Sequence, residues 1–184
     1  MMVWLLIFTI SARRRFINTI KQNKIDNVIV LSGDSHANWV YDGVLPSDFD
    51  SYDPATGAGS QFVEFGVTAV SSSSSYGKNK TQAQYDERAT ALVRHNKNLH
   101  YADGGRRGWY KLSIDRSKVV ADYYGVNDIF RPDSGVTLLA SFEVKDKANK
   151  LTRPINQNAK PVSGTIQDQA VDYSKEKWNG TTFV

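Results

Sequence analysis

The sequence predicts an α/β fold of the α+β kind, with mixed β-sheets flanked by helices, and three observations carry that expectation. An amphipathic stretch over residues 12–23 is followed by the apolar run Val28-Ile29-Val30-Leu31 and then by Ser32-Gly33-Asp34-Ser35-His36. Residues 109–114 and 119–125 are rich in β-forming side chains and are joined by the short link Asp115-Arg116-Ser117-Lys118, which predicts an antiparallel hairpin. Residues 136–144 alternate, placing Val136, Leu138, Ala140, Phe142 and Val144 on one face of a strand.

Taken in order, residues 1–11 are an apolar leader or a core strand. The basic run Arg13-Arg14-Arg15 follows the apolar residues, whereas a signal peptide places its charges first, and a spanning helix needs roughly 20 apolar residues. Ser11 is placed to cap a helix that runs to about Asn23, with Ala12, Phe16, Ile17 and Ile20 on its inner face. Val28–Leu31 has no polar alternation, which suits a strand covered on both faces, and open α/β sheets place ligands beyond the carboxyl ends of such strands. In extended chain, residues two apart point the same way, so Asp34 and His36 would reach one metal ion. A turn that satisfies its own backbone through Asx and Ser hydrogen bonds is the plain alternative.

Residues 41–60 are rich in Asp, Gly, Pro and Ser and read as a surface loop, in which Tyr41, Tyr52 and Asp53 are candidate substrate contacts. Phe62–Val70 reads as a second strand running into the serine run 71–75, which reads as coil. Glu64, Thr68 and Ser71 are then candidates for positioning a site, and Glu64 pairing on an exposed face is the simpler assignment. Thr81-Gln82-Ala83-Gln84 forms a capping box for a helix in which Tyr85, Ala89, Leu92 and Val93 align, ending at a solvated His95. Asp103-Gly104-Gly105-Arg106-Arg107-Gly108 reads as a turn whose arginines face water or pair with acids, and their planar forks could instead meet a phosphate. From residue 146 the chain is polar and reads as a tail, with Val171, Tyr173, Trp178 and Phe183 available to dock.

A chain of 184 residues with 40% hydrophobic residues supports one core, and the formal charge of +4 favours anionic partners. A nucleic-acid binder using Arg13, Arg14, Arg15, Arg106 and Arg107 is the weakest class, because no recognition motif accompanies the charge. There is no cysteine, so neither a disulfide framework nor thiolate ligands exist. Two sequons, at Asn79 and Asn179, matter only on a secretory route.

The longer context Leu31-Ser32-Gly33-Asp34-Ser35-His36-Ala37-Asn38-Trp39-Val40 resembles the PhoD-like alkaline phosphatase and phosphodiesterase family. The resemblance continues through Tyr52-Asp53-Pro54-Ala55-Thr56-Gly57-Ala58-Gly59, Val63–Ser72, Asn98-Leu99-His100-Tyr101-Ala102-Asp103 and Arg106-Arg107-Gly108-Trp109. It covers roughly residues 12–145 and corresponds to the C-terminal part of a family member. It implies a partial metallophosphatase-type sandwich of two sheets, truncated on the N-terminal side, that hydrolyses phosphate mono- or diesters with iron and calcium. By the same resemblance Asp34 and His36 are metal ligands and His36 and His100 are catalytic. Asn38, Glu64, Arg106 and Arg107 bind substrate or support the site. Leu99 stands where the family has a proline.

A metal cluster needs four or more donors around each ion, yet the only carboxylate before Gly33 is Asp26, with no histidine there. The expectation is therefore a fragment that binds metal weakly, hydrolyses little alone and associates through an open sheet edge. The alternative is a non-catalytic scaffold that keeps the Gly-Asp-x-His motif. The family is often exported, so a secreted or cell-surface location is compatible with the resemblance, though no convincing signal peptide marks it.

Overall fold

The structure, a computed structural model, describes residues 10–77, 80–131 and 134–155. The readings of residues 1–9 and of Val171, Tyr173, Trp178 and Phe183 lie outside the described residues. The first helix, α1 (Ile10–Gln22), contains Ser11 within its first turn instead of being capped by it. Its Ile17 and Ile20 are buried against Leu45 and Phe62, with Phe16, Val28 and Val30 alongside.

Four strands, β1 (Ile29–Ser32), β2 (Asn38–Gly43), β3 (Phe62–Gly66) and β4 (Leu99–Asp103), form a sheet of order β1-β3-β2-β4. β1 is parallel to β3, and β2 is antiparallel to both β3 and β4. It follows that β1, β3 and β4 run in one direction and bring their carboxyl ends to the same end of the sheet, where β2 begins.

Two expectations are corrected here. β1 is an edge strand and Leu31 is 53% exposed, so it is not covered on both faces. The supposed surface loop 41–60 begins with half of β2, a central strand buried along its whole length. Asp42 is tolerated there because hydrogen bonds satisfy its carboxylate, and Asn38 accepts one at Oδ1 while its Nδ2 is buried with no partner among the described residues.

The second sheet is an antiparallel meander of β5 (Gly108–Ile114), β6 (Lys118–Val126) and β7 (Val136–Lys145), in agreement with the sequence reading. Its first turn is held by Asp115, whose Oδ1 accepts from the Ser117 and Lys118 amides. Gly108 is required where β5 crosses β6, since a Cβ there would lie 1.9 Å from the Tyr124 carbonyl oxygen. Alternation along β7 is broken by a bulge: Tyr123 pairs with Ala140, but Tyr124 pairs with Leu138. Leu139 therefore turns inward, while Val136 and Leu138, expected inside, are about half exposed.

The sheets pack face to face, Val40, Val63 and Phe65 against Ala121, Tyr123, Leu139, Ala140, Phe142 and Val144. The opposite face of the first sheet is covered by α1 and by α2 (Gln82–His95), whose Tyr85 and Ala89 pack with Trp39, Tyr41, Leu99 and Ala102. The chain after Lys145 does not leave the body at once. Leu151 is 1% exposed in the main core, and Asn149 bonds the Val28 amide and the Ile25 carbonyl.

The capping box at α2 forms as expected: Thr81 Oγ1 accepts from the Gln84 amide and Gln84 Oε1 from the Thr81 amide. Thr81→Ala is expected to cost about 1 kcal/mol in urea unfolding. An unchanged midpoint would mean that tertiary packing alone fixes the start of α2.

Candidate functional site

The site is built at the end of the first sheet where β1 and β3 finish. Between β1 and β2, Asp34 (φ 65°) and His36 (φ 54°) both sit in the left-handed region, and the Ser35 amide bonds the Gly33 carbonyl at 2.8 Å. The segment is a tight turn, so the extended-chain argument for a shared side does not hold. Non-glycine residues hold this backbone only where their surroundings enforce it. Here the enforcement is visible. Ser35 Oγ donates to the Ala37 carbonyl and accepts from Trp39 Nε1 at 2.7 Å.

His36 Nδ1 lies 2.8 Å from the Ser73 carbonyl oxygen. A carbonyl can only accept, so Nδ1 carries the proton and the lone pair of the neutral ring is on Nε2. This is the arrangement in which metal-ligating histidines are held. The serine run, expected as coil, supplies that carbonyl and a second one at Ser72.

Arg107, expected to face water, is 1% exposed. Its guanidinium donates to the carbonyls of His36 (3.1 Å), Ser72 (3.0 Å) and Gly104 (2.6 Å). One side chain thus ties together the turns that follow β1, β3 and β4. Arg106 is also buried, paired with Asp103 at 3.1 Å and with Asp86 at 3.8 Å. Both guanidinia are buried and engaged inside the protein, so the five-arginine patch of a nucleic-acid binder is not formed.

Asn38, at the start of β2, accepts from the Thr68 amide at 2.9 Å and so fixes the exit of β3. Glu64 lies on the helix-facing side of β3 and is buried, contrary to the exposed-face reading; Ser32 Oγ donates to it at 2.7 Å. Burial raises its pKa, against the opposing effects of Ser32 and Arg13.

Asp34 is exposed and no described residue hydrogen-bonds it. By donor type, a carboxylate and an imidazole nitrogen suit a hard or borderline metal ion. Among the described residues, no group of three or more His, Cys, Asp or Glu side chains is placed to hold one.

His100 is not brought to this place. It lies on β4, in a break of register where Val40 pairs with Tyr101 and Tyr41 with Leu99. β2 separates the two places, and its run from Asn38 to Asp42 spans about 13 Å. His100 Nε2 is 2.8 Å from the Tyr52 hydroxyl, which donates to Asp42 Oδ2 at 2.8 Å. Arg153 Nη2 also donates to Asp42 Oδ2, and the Leu151 amide donates to Oδ1. Burial alone would raise the pKa of Asp42, but hydrogen bonds from His100 and Leu151 and the Arg153 charge outweigh it and hold the carboxyl below its usual range.

Asp42 and Arg153 escape a reading of the sequence alone. The one available signal was the β-forming triplet Trp39-Val40-Tyr41 directly after the turn. Asp53 is a turn residue, accepting from the Ala55 amide and from Thr56 Oγ1.

Comparison with known proteins agrees with this architecture. The family model described as PhoD-like phosphatase matches residues 9–123. The chain is 27% identical over 132 residues to alkaline phosphatase D of Bacillus subtilis, an alignment covering 72% of the chain and 20% of that protein. A solved structure titled "Structure of PhoD" superposes with a TM-score of 0.60 at 24% identity, over 84% of this chain and 26% of the other. The chain therefore spans about a fifth of the curated relative's length.

Proposed function

Because this chain belongs to the PhoD-like phosphatase family, we propose that its strand-end turn serves the metal-dependent hydrolysis of phosphate mono- or diesters. Asp34 and His36 Nε2 are the donors it brings. The observation that supports this reading is the bond from His36 Nδ1 to the Ser73 carbonyl, which leaves Nε2 free. A bound metal ion, in this family resemblance iron together with calcium, would polarise a phosphoryl oxygen and acidify a water. The chain's own residues hold the donors still: Arg107 and Ser35 fix the turn, and Asn38 fixes the neighbouring exit from β3. The net positive charge suits an anionic ester.

Two donors do not complete a metal site, so the proposal requires further donors beyond the described residues. That shortfall favours one alternative, a scaffold that keeps the turn without catalysis. Among the described residues β1 has no strand on its outer side and Leu31 is exposed, so this edge is the place for the self-association proposed on sequence grounds. Among the described residues no helix is long and apolar enough to cross a membrane.

The test is metal content by elemental analysis, with hydrolysis of a generic phosphodiester in added iron and calcium, for wild type and Asp34→Ala. Retained metal and turnover that both vanish in the variant would support the proposal. No metal and no turnover in either protein would leave the scaffold reading.

A further inference from the structure

A second place in the fold has the features of a small-molecule site. It lies at the end of the first sheet opposite His36, where an open hollow of about 520 Å³ is lined by Val93, Lys97, Leu99, His100, Arg153 and Ile155, among others. That volume is within the usual range for ligand pockets.

His100 is 6% exposed and held from behind. The Tyr52 hydroxyl gives its proton to Asp42 and so accepts from the imidazole; Arg153 Nη2, 3.4 Å from the same Nε2, is spent on Asp42, and Nε2 carries the hydrogen. In the neutral ring Nδ1 then bears the lone pair. No described residue bonds Nδ1, and the ring lines the hollow. Around that acceptor stand two cations and, among the described lining residues, no acid. Arg153 is committed to Asp42 and to the Leu151 and Pro54 carbonyls. Lys97 Nζ gives one donor to the Asp50 carbonyl and lies 4.9 Å from the Phe49 ring centroid, with further N–H donors to give. The remaining wall is apolar.

We propose that this hollow binds a small hydroxy-carboxylate with an apolar body. Its carboxylate is met by Lys97, its hydroxyl donates to His100 Nδ1, and its body lies on Val93, Leu99 and Ile155. Tyr52 and Asp42 act as positioning residues that fix the imidazole's tautomer.

The test is a titration of the full chain with mandelate, followed through the His100 imidazole resonances by NMR, with phenylacetate and benzyl alcohol as the partners lacking one group each. Mandelate is expected to give a saturable shift, phenylacetate to bind roughly three- to tenfold more weakly for the lost hydrogen bond, and benzyl alcohol more weakly still. Lys97→Ala, a change at a partly exposed position, is expected to weaken mandelate about tenfold, the size of a charge-assisted bond. Ala55→Trp, at the exposed rim, is expected to abolish the shift while the unfolding temperature stays unchanged. No saturable shift with mandelate, or equal binding of benzyl alcohol, would overturn the proposal. Nuclear Overhauser contacts to the His100 ring from residues beyond Ile155 would assign the hollow to the chain's own C-terminal segment and would overturn it as well.

Discussion

Arg107→Ala is expected to lower the free energy of unfolding by at least about 3 kcal/mol and to release the His36 turn. Three carbonyls, those of His36 and Ser72 in half-buried places and that of Gly104 in a buried one, lose at once the donor of a side chain that is 1% exposed. A hydrogen bond to a charged group is worth about 1.5–3 kcal/mol, and carbonyls left buried without a partner add their own desolvation cost. For a chain of this size the loss corresponds to a fall of roughly 6–12 °C in unfolding temperature. Arg107→Lys keeps the charge but cannot place donors on three carbonyls, so it is expected to rescue only part of the loss. If the proposed role of His36 holds, metal retention falls with stability in variants that remain folded, because Arg107 holds the His36 backbone. An unchanged unfolding temperature in Arg107→Ala would show that the three turns stand without this bond, and the account of the site's rigidity would be wrong.

The same residue shows why the sequence was legible in some places and opaque in others. Periodic segments were readable because their burial is periodic: α2 with its capping box, the β5–β6 hairpin and most of β7 all agree with the pattern of apolar residues. Where local pattern and tertiary demand diverge, the pattern misleads. Two adjacent arginines in a glycine-rich turn look solvated, yet the turn is folded back on carbonyls that only a guanidinium fork can collect. β2 looked like the start of a loop because Asp42 interrupts it, and Asp42 is tolerated in a central strand only because Arg153, more than a hundred positions later, comes back to meet it. A bulge at Leu139 moves β7's inner face by one residue, which no alternation count can foresee. The Gly-Asp-Ser-His motif does form a turn at a strand end, but its left-handed backbone invalidated the geometric step from spacing to side-chain direction.

Asp42→Ala is expected to be as damaging as any single change in the described fold, about 3–5 kcal/mol, since it leaves the Arg153 guanidinium, the Tyr52 hydroxyl and the Leu151 amide facing a space with no acceptor. The carboxylate also predicts a pH dependence of definite sign. Its folded pKa is depressed below the unfolded value near 3.9. Above the unfolded value the carboxylate is ionised in both states and its stabilisation is fully present. As the pH falls through 3.9 toward the folded pKa, the unfolded chain takes up the proton first and the stabilisation is lost. Glu64 acts in the opposite sense, because burial raises its pKa: the stability linked to its protonated form is present at low pH and lost as the pH rises through its folded value. The wild-type curve is therefore a sum. Comparison with Asp42→Asn separates the two, since the amide keeps the shape and the Tyr52 contact while removing only the titrating group. Urea unfolding from about pH 6 to about pH 2.5 should show wild type losing stability more steeply than Asp42→Asn below about pH 4, with the two curves converging in acid. Parallel curves would mean that Asp42 does not change its proton affinity on folding, and that the Arg153 pairing holds the chain's C-terminal segment in place without contributing net stability.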